Sequence, residues 1–462
     1  MPSPEFPVKE IRFVSHACAA DEPLAPDDPR RCDFTELRGG SPVIVELADT
    51  LEQWPGAGKF HQSLLCGHRG SGKSTELLGL KQWADANQFL CVWIEVDLYF
   101  DLTELQYSDI FLLAAESVEK EMRKQGMELP PEKLHDVVTW FAEITQENLE
   151  TIKSELKVEA GAEAGGGLSL LGKLFAKFSA SVLAGSERHK KIRQELRQSP
   201  NVLISLTNDL LKSANEKLVD SGRDQGLLLL FDNLDRYRAE IINDLLLKGG
   251  GLVRRLGCHA IFTMPVELRC SAENAYWDHF SASVILPMLA LRERNNSWNS
   301  TVAASSFHPE AVELMTQALA RRIDINVLFE DPADAQLLVK MSGGCMRDLL
   351  HLVGVARQKS RSSLAESPGK LTRSGVHQAI LEYRYQMAEG LRSEDYERLV
   401  AIARRRDQEV QHFDEHVLRL LSRRRVLLYR DRENRWFDVH PLLIEDEGFR
   451  NVHDATSSFH TS

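Results

Sequence analysis

The chain lacks the features that mark a secreted or membrane-spanning protein. No uninterrupted apolar stretch approaches the roughly 18 residues of a membrane span, and no basic segment followed by an apolar one opens the sequence, as a secretory signal requires. The 7 cysteines are scattered, without a Cys-x-x-Cys pair or a cluster of cysteine and histidine. These absences argue against a disulfide framework and against a structural zinc site. We therefore expect a cytoplasmic protein with reduced thiols and no membrane contact.

An excess of positive charge is also missing. The 462 residues carry a formal net charge of −12, which argues against a protein that coats nucleic acid through its overall charge, although a local basic face remains open. Hydrophobic residues make up 43% of the chain and charged residues 27%, as in an ordinary globular protein. The length suffices for two or three domains with a sizeable core.

What the sequence does contain is a phosphate-binding pattern, G-x-x-x-x-G-K-S/T, at residues 67–74. An apolar run precedes it and a helix-compatible run follows, so the glycine-rich backbone and the positive helix end converge on one anion. We expect Lys73 to contact the β- and γ-phosphates and the Ser74 hydroxyl to ligate Mg²⁺. A glycine-rich turn with a chance lysine is the alternative. The predicted phosphate-binding residues are Gly67, His68, Arg69, Gly70, Ser71, Gly72, Lys73, Ser74 and Thr75.

A second apolar run, residues 227–231, ends in an acid at Asp232. It predicts a buried central strand that brings a carboxylate to the place where Mg²⁺ needs one beside the phosphates. An ordinary core strand followed by a turn is the alternative. Asp235 either polarises the attacking water or forms a structural salt bridge, and the sequence leaves both open. The long spacing between Lys73 and Asp232 predicts an insert at about residues 140–190.

Three further apolar runs, at residues 89–97, 258–265 and 283–287, complete a predicted five-stranded parallel sheet of an α/β core. Thr263 lies at the polar end of its strand, and we expect it to face the γ-phosphate as a sensor. A strand-end threonine without a role is the alternative.

Arg347 lies in the first turn of a predicted helix that follows Gly343 and Gly344. From that position an arginine can reach over the triphosphate. An arginine on the helix surface, paired with Asp348 or Glu382, is the alternative.

The predicted elements divide the chain into successive segments. A ribbon at residues 425–441 that follows helices predicts a winged helix. Basic clusters at 404–406 and 423–425 favour either duplex DNA binding or a solvated face of a regulatory winged helix. The predicted segments are an N-terminal arm (1–34), a P-loop core (35–300), a helical lid (301–390), the winged helix (391–450) and a flexible tail (451–462).

These motifs together resemble AAA+-related P-loop ATPases of the STAND and Orc/Cdc6-like group. The sequence Asp-Asn-Leu-Asp-Arg at 232–236 is similar to the DDLDR sequence of KAP-type P-loop ATPases. The resemblance implies ATP as the nucleotide, Mg²⁺ as the cofactor, and an AAA+-like core, a lid and a winged helix that change arrangement with the nucleotide.

The resemblance also implies roles for two residues outside the main motifs. Arg38 precedes a predicted helix at the place where many such ATPases contact adenine; a plain turn is the alternative. His440 occupies the place of a Met-His-Asp motif whose histidine contacts the ADP phosphate; a core or turn histidine is the alternative. Since no long repeat array follows, a separate sensor or effector protein is implied, in a homo-oligomer or a hetero-complex. Analogy alone points to bacterial defence or signalling.

The sequence therefore leads to the hypothesis of a Mg²⁺-dependent, slowly hydrolysing ATPase that acts as a molecular switch on a partner protein. A DNA-binding initiator or loader ATPase is the alternative. The predicted catalytic residues are Lys73, Asp232, Asp235, Thr263 and Arg347, and the predicted Mg²⁺ ligands are Ser74 and Asp232.

Overall fold

Five parallel strands form the central sheet of the protein. A computed structural model describes residues 5–40, 42–153, 169–184, 187–248, 251–271, 279–292, 307–361, 369–404, 413–432 and 434–458. The strands are β1 (Gln62–Gly67), β2 (Phe89–Glu95), β3 (Gly226–Asp232), β4 (His259–Pro265) and β5 (Ala282–Leu286). They follow the spatial order β2-β3-β4-β1-β5, and every neighbouring pair is parallel. The predicted five-stranded α/β core is confirmed.

Helices cover both faces of this sheet, which is why its strands read as unbroken apolar runs. All residues of β3 are buried, and Phe231 stacks on Phe262 with ring centroids 4.9 Å apart. The helices in this half of the chain are α1 (Val14–Ala17), α2 (Val43–Glu52), α3 (Lys73–Ala86), α4 (Tyr107–Lys124), α5 (Pro131–Thr145), α6 (Leu170–Leu183), α7 (Glu187–Gln198), α8 (Pro200–Asp220), α9 (Ala239–Ile242) and α10 (Val266–Cys270). Helices α2 and α3 pack on one face, and α4 and α8 lie on the other.

Strand β4 lies between the strand of the phosphate loop and the strand that ends at Asp232. The register places Leu65 beside Thr263 and Phe231 beside Phe262. Because parallel strands end at a common edge, the phosphate loop, Asp232 and Thr263 share the carboxyl edge of the sheet.

In the described residues, the connection from β2 to β3 contains helices α4 to α8. Within the predicted insert, the described residues join the main core: Phe175 and Phe178 of α6 are buried against Phe100. Residues 154–168 and 185–186 of that insert lie outside the described residues. No helix in the described part of the chain is both long and apolar enough to cross a membrane.

The C-terminal half is mainly helical and contains an antiparallel ribbon of two strands. Its elements are α11 (Pro309–Ala320), α12 (Ile325–Leu328), α13 (Ala333–Met341), α14 (Met346–Lys359), α15 (Arg373–Ala388), α16 (Ser393–Arg404), α17 (Glu415–Ser422), β6 (Val426–Arg430), β7 (Arg435–Val439), α18 (Pro441–Ile444) and α19 (Glu447–Ser458). We call α11 to α15 the lid segment. Between residue 391 and the ribbon the described residues hold two helices, α16 and α17. The predicted boundary at residue 300 lies outside the described residues, as do residues 405 and 406 of the first basic cluster.

Both ends of the chain differ from expectation. The predicted N-terminal arm packs on the lid segment: Val8 bridges to Ile323, and Val14 and Leu24 are buried. Buried apolar side chains therefore hold this segment there despite its prolines. The predicted flexible tail belongs to α19, which is held by the buried ring of Phe449; residues 459–462 lie outside the described residues.

Candidate nucleotide-binding site

A cavity of about 290 Å³ opens where the carboxyl edge of the sheet meets α11 and α14 of the lid segment. Its walls come from the phosphate loop, the end of β3, the N-terminal segment and the lid segment. The predicted site residues that line it are Arg38, Arg69, Gly70, Ser71, Gly72, Lys73, Ser74, Thr75, Asp232, Asp235 and Arg347. The predicted residues outside its lining are Gly67, His68, Thr263 and His440.

The glycines of the phosphate loop permit its backbone conformation and also the close approach of neighbouring residues. Gly70 and Gly72 have φ angles of +83° and +100°, which side chains rarely adopt. A Cβ on Gly70 would lie 2.6 Å from the Cβ of Arg347 and 2.9 Å from Cys345 Sγ. The start of α14 is therefore pressed against the loop that would hold the phosphates. Gly72 caps α3, so the positive end of that helix points into the cavity.

Lys73 is buried and surrounded by oxygen acceptors. Its Nζ donates to the carbonyl oxygens of Gly67 and His68, each at 2.9 Å, and lies 2.9 Å from Asp235 Oδ2. Side chains of Lys73 and Asp235 are 4% and 9% exposed. Of the two roles that the sequence left open for Asp235, the structure places its carboxylate in the salt bridge.

Asp232 and Ser74 form an oxygen-donor pair that fits Mg²⁺. Burial raises the pKa of Asp232 to about 6, although a hydrogen bond from the Ser74 hydroxyl opposes the shift. Asp232 is buried, and its Oδ1 has no hydrogen-bond partner. No group of three His, Cys, Asp or Glu side chains suited to a metal occurs in the described ranges. A carboxylate and a hydroxyl, completed by phosphate oxygens and water, are the ligands Mg²⁺ takes beside a nucleotide.

Thr263 holds the turn after β3 rather than facing the cavity. Its hydroxyl accepts a hydrogen bond from the Leu234 N–H at 3.0 Å and donates to the Phe231 carbonyl at 3.3 Å. The sensor prediction therefore finds no support in this geometry, because the hydroxyl donates to β3 and accepts from the turn after it.

Arg38 braces the phosphate loop at the cavity wall. Its guanidinium donates to the Ser71 carbonyl at 2.5 Å and to Glu76 Oε1 at 2.8 Å. The resemblance implied a contact with adenine, whereas both of these hydrogen bonds run to the loop and to α3. Arg69 acts similarly on the other side, where it donates to the carbonyl oxygens of Asp235 and Arg236.

The N-terminal segment supplies a wall that the sequence did not reveal. The Leu24 N–H donates to Thr75 Oγ1 at 3.2 Å, and Asp21 pairs with Arg347 at 2.9 Å. Arg347 therefore pairs with neither Asp348 nor Glu382. Apolar residues also line the cavity. From the N-terminal segment they are Ala19, Ala20, Pro23, Leu24 and Phe34, and from other segments they include Leu289, Ala318, Met346 and Leu350.

His440 lies in a buried polar cluster away from the cavity, contrary to the implied contact with phosphate. The cluster centres on Asp348, which follows Arg347 on α14. Asp348 Oδ1 lies 2.8 Å from Arg424 Nη2 and accepts a hydrogen bond from the Tyr383 hydroxyl at 2.7 Å, while His440 Nε2 lies 3.4 Å from Oδ2. Burial alone would raise the pKa of Asp348, but the charge of Arg424 holds it well below its usual range. His440 is therefore a core histidine, which is the alternative that the sequence left open.

His68 also points away from the cavity and joins the phosphate loop to the ribbon. Its Nε2 accepts a hydrogen bond from the Leu428 N–H of β6 at 2.9 Å. Burial, with the nearby charges of Lys73 and Arg424, lowers the pKa of His68 to about 3, so the ring stays neutral and can accept. No sequence signal marks this contact, because the pattern leaves position 68 free.

Most of the arginines that the structure describes in the C-terminal half have partners within the protein. Arg424 belongs to the Asp348 cluster, and Arg425 donates to the Glu389 carbonyl. Neither of these side chains is free to contact duplex DNA, whereas Arg423 and Arg435 are exposed and are the residues on which to test the DNA hypothesis. Further ion pairs join Arg398 to Asp414, Arg419 to Asp395, Arg430 to Glu46 and Arg432 to Glu36.

Asp348→Ala is expected to lower the free energy of unfolding by about 3–5 kcal/mol, because it leaves Arg424 partly buried without its counter-ion. The depressed pKa of Asp348 means that this contribution is present above about pH 4 and is lost as the pH falls toward the folded-state pKa. Chemical denaturation at pH 7 measures the loss. Glu216→Ala, which removes an exposed pair with Lys212, should change stability by less than about 0.5 kcal/mol. A loss below about 1 kcal/mol for Asp348→Ala would contradict the interpretation of a central ion pair.

Comparisons with known proteins add little to this geometry. No protein-family model matches the chain, and no curated protein does. The crystal structure of Cdc6p from Pyrobaculum aerophilum matches 96% of this chain and 98% of that chain, at 12% sequence identity and a TM-score of 0.34. A similarity this low carries no argument, so the fold and the site rest on the sheet and the residues described above.

Proposed function

We propose that this protein is a Mg²⁺-dependent ATPase of the AAA+-related kind that works as a molecular switch. The observation that carries the proposal is a single cavity in which residues 69–74 of the phosphate loop, including the Lys73 ammonium, and an unpartnered oxygen of Asp232 meet beside α14. These groups match the charge of a nucleoside triphosphate with its magnesium ion. The apolar walls beside Leu24 and Leu350 suit a purine base.

Each group has a definite task in binding. The backbone N–H groups of the loop and Lys73 bind the phosphates. Ser74 and Asp232 would hold Mg²⁺, which neutralises the negative charge that develops on the phosphates. Asp235 fixes Lys73, and Arg347 brings the lid segment to the rim of the cavity. The walls exclude bulk water from the phosphates, which strengthens every one of these electrostatic contacts.

Two connections from the cavity to the C-terminal ribbon support a switch. Arg347 lines the cavity while its neighbour Asp348 holds Arg424. His68, within the phosphate loop, holds Leu428 of the ribbon. A shift of either α14 or the loop during nucleotide turnover therefore acts directly on the ribbon. His440 contributes to this relay through Asp348 rather than through a phosphate.

The client of the switch is proposed from the resemblance alone. A separate sensor or effector protein would bind the C-terminal module, in a homo-oligomer or hetero-complex of the cytoplasm. A role in bacterial defence or signalling belongs to the same proposal. Copurification of partners with and without a non-hydrolysable ATP analogue addresses it.

The purified full-length chain tests the function directly. ATP with Mg²⁺ is expected to raise the melting temperature by several degrees, and phosphate should be released slowly without any added acceptor. Limited proteolysis should cleave the C-terminal half at different rates with ADP and with the non-hydrolysable analogue, because the ribbon is attached to the cavity. GTP and ATP with a chelator serve as controls. Absence of ATP binding would overturn the proposal, and identical proteolysis in both states would remove its switch component.

A further inference from the structure

Glu95 brings a carboxylate to the cavity that neither phosphate-loop motif predicts. It is the last residue of β2, and it pairs in register with Asp232 of β3. Earlier positions in the same register, Cys91 with Leu228 and Trp93 beside Leu230, belong to the apolar cluster packed against α2 and α3. Because side chains alternate along a strand, Glu95 and Asp232 point to the same face of the sheet, on neighbouring strands.

Each of the other carboxylates that line the cavity has at least one partner. Asp235 pairs with Lys73, and Asp232 accepts a hydrogen bond from Ser74. Three more are held by arginines: Asp21 by Arg347, Glu22 by Arg30 and Glu76 by Arg38.

Glu95 differs from these five carboxylates. It is half-buried at the cavity wall, and within the described residues its carboxylate has neither a hydrogen bond nor an ion pair. The neighbouring acid Asp97 does not compete, because Asn233 and Arg236 hold it at 2.7 and 2.8 Å. The buried acid Glu267 lies outside the cavity lining.

We propose that Glu95 is the catalytic base that orients and deprotonates the water attacking the γ-phosphoryl group, an inference that rests on the proposed ATPase function. The water oxygen forms a bond to the γ-phosphorus, and the bond from that phosphorus to the β,γ-bridging oxygen breaks with its electron pair remaining on ADP. The water proton passes to the Glu95 carboxylate and then to the departing phosphate.

The salt bridge of Asp235 explains why the base is found on β2. A carboxylate that accepts a proton loses its charge, so a proton on Asp235 would leave the buried Lys73 ammonium without its partner. Glu95 can accept a proton without breaking any contact of the described structure. Asp235 is then a positioning residue that acts through Lys73.

The test compares Glu95→Gln with the parent chain. The substitution keeps the shape of the side chain and removes the base, so single-turnover hydrolysis should fall at least about 100-fold, while the Kd for a fluorescent ATP analogue should stay within about threefold of the parent. Glu52→Gln removes an exposed carboxylate outside the cavity and should match the parent in both measurements. Asp235→Asn should change the Kd more than Glu95→Gln does.

Four outcomes decide the matter. A Glu95→Gln rate within threefold of the parent overturns the inference and leaves the ATPase function standing. An equal loss of affinity and rate also overturns it, because it indicates a role in binding. A parent chain that binds ATP without hydrolysis overturns both. If Glu95→Gln lowers the melting temperature markedly, the variant Glu95→Asp is used in its place. This substitution keeps the carboxylate but moves it away from the attacking water, so the rate of hydrolysis should fall at least about tenfold.

Discussion

Lys73→Ala is expected to weaken ATP binding at least about 100-fold, because it removes the only lysine among the described residues that line the cavity and with it a charge-assisted contact to the phosphates. Calorimetric titration of the purified variant with ATP and Mg²⁺ measures the effect. The loss should be as large for ADP as for ATP if the ammonium contacts the β-phosphate, and smaller for ADP if it contacts mainly the γ-phosphate.

Two controls separate the lost contact from a damaged fold. Lys73→Ala leaves Asp235 buried without its ammonium, so the double variant Lys73→Ala/Asp235→Asn should recover stability without recovering ATP affinity. Lys81→Ala lies on the same helix, where its lysine pairs with Asp85 near the surface, and should bind ATP like the parent. Retention of parental affinity in Lys73→Ala would contradict the assignment of the phosphate site.

Asp232→Asn is expected to reduce Mg²⁺-dependent hydrolysis at least about 100-fold and, at the same time, to stabilise the nucleotide-free protein. The first effect follows from the loss of a metal ligand. The second follows from burial, which raises the pKa of Asp232 to about 6 and so makes its charged form costly at neutral pH. Phosphate release and thermal unfolding measure the two effects on the same sample.

The direction in which the stabilisation changes with pH distinguishes the effect of removing the Asp232 charge from a general effect of the substitution. The carboxyl of Asp232 binds its proton more tightly in the folded chain than in the unfolded chain, so its stability penalty is full above about pH 6 and disappears toward pH 4. The stabilisation by Asp232→Asn should therefore be about 1–3 kcal/mol at pH 7.5 and shrink at pH 5. The exposed control Asp220→Asn should show no such trend. A destabilised Asp232→Asn, or one that hydrolyses ATP at the parental rate, would contradict the assignment.

The central sheet was predictable because its strands are buried on both faces and therefore read as continuous apolar runs. The position of Asp232 was predictable as well, since a carboxylate at the end of such an apolar run must lie at the carboxyl edge of the sheet. Thr263 was placed on the correct strand, yet its hydroxyl direction depends on the neighbouring strand, which a single sequence does not identify.

The remaining differences between the predicted and the observed structure concern contacts between segments that are far apart in the sequence. Asp21 and Arg347 are far apart in the chain, and no local pattern pairs them. The N-terminal segment has too few apolar residues to show a period, although burial of Leu24 and Val14 fixes it. For His440, position alone suggested a phosphate contact, whereas the burial of Asp348 and Arg424 determines where the ring lies.

The phosphate loop of this protein is attached to its surroundings at positions that the binding pattern leaves free. His68 accepts from the ribbon, Arg69 donates to the turn after β3, and Gly70 admits α14 within contact distance. A loop grafted from an unrelated ATPase would satisfy every fixed position of the pattern and still lack these attachments. Such a chimaera should retain nucleotide affinity while losing the communication with the C-terminal half. Within the same eight residues, the fixed positions of the pattern would therefore bind the nucleotide, and the free positions would transmit its state to the rest of the protein.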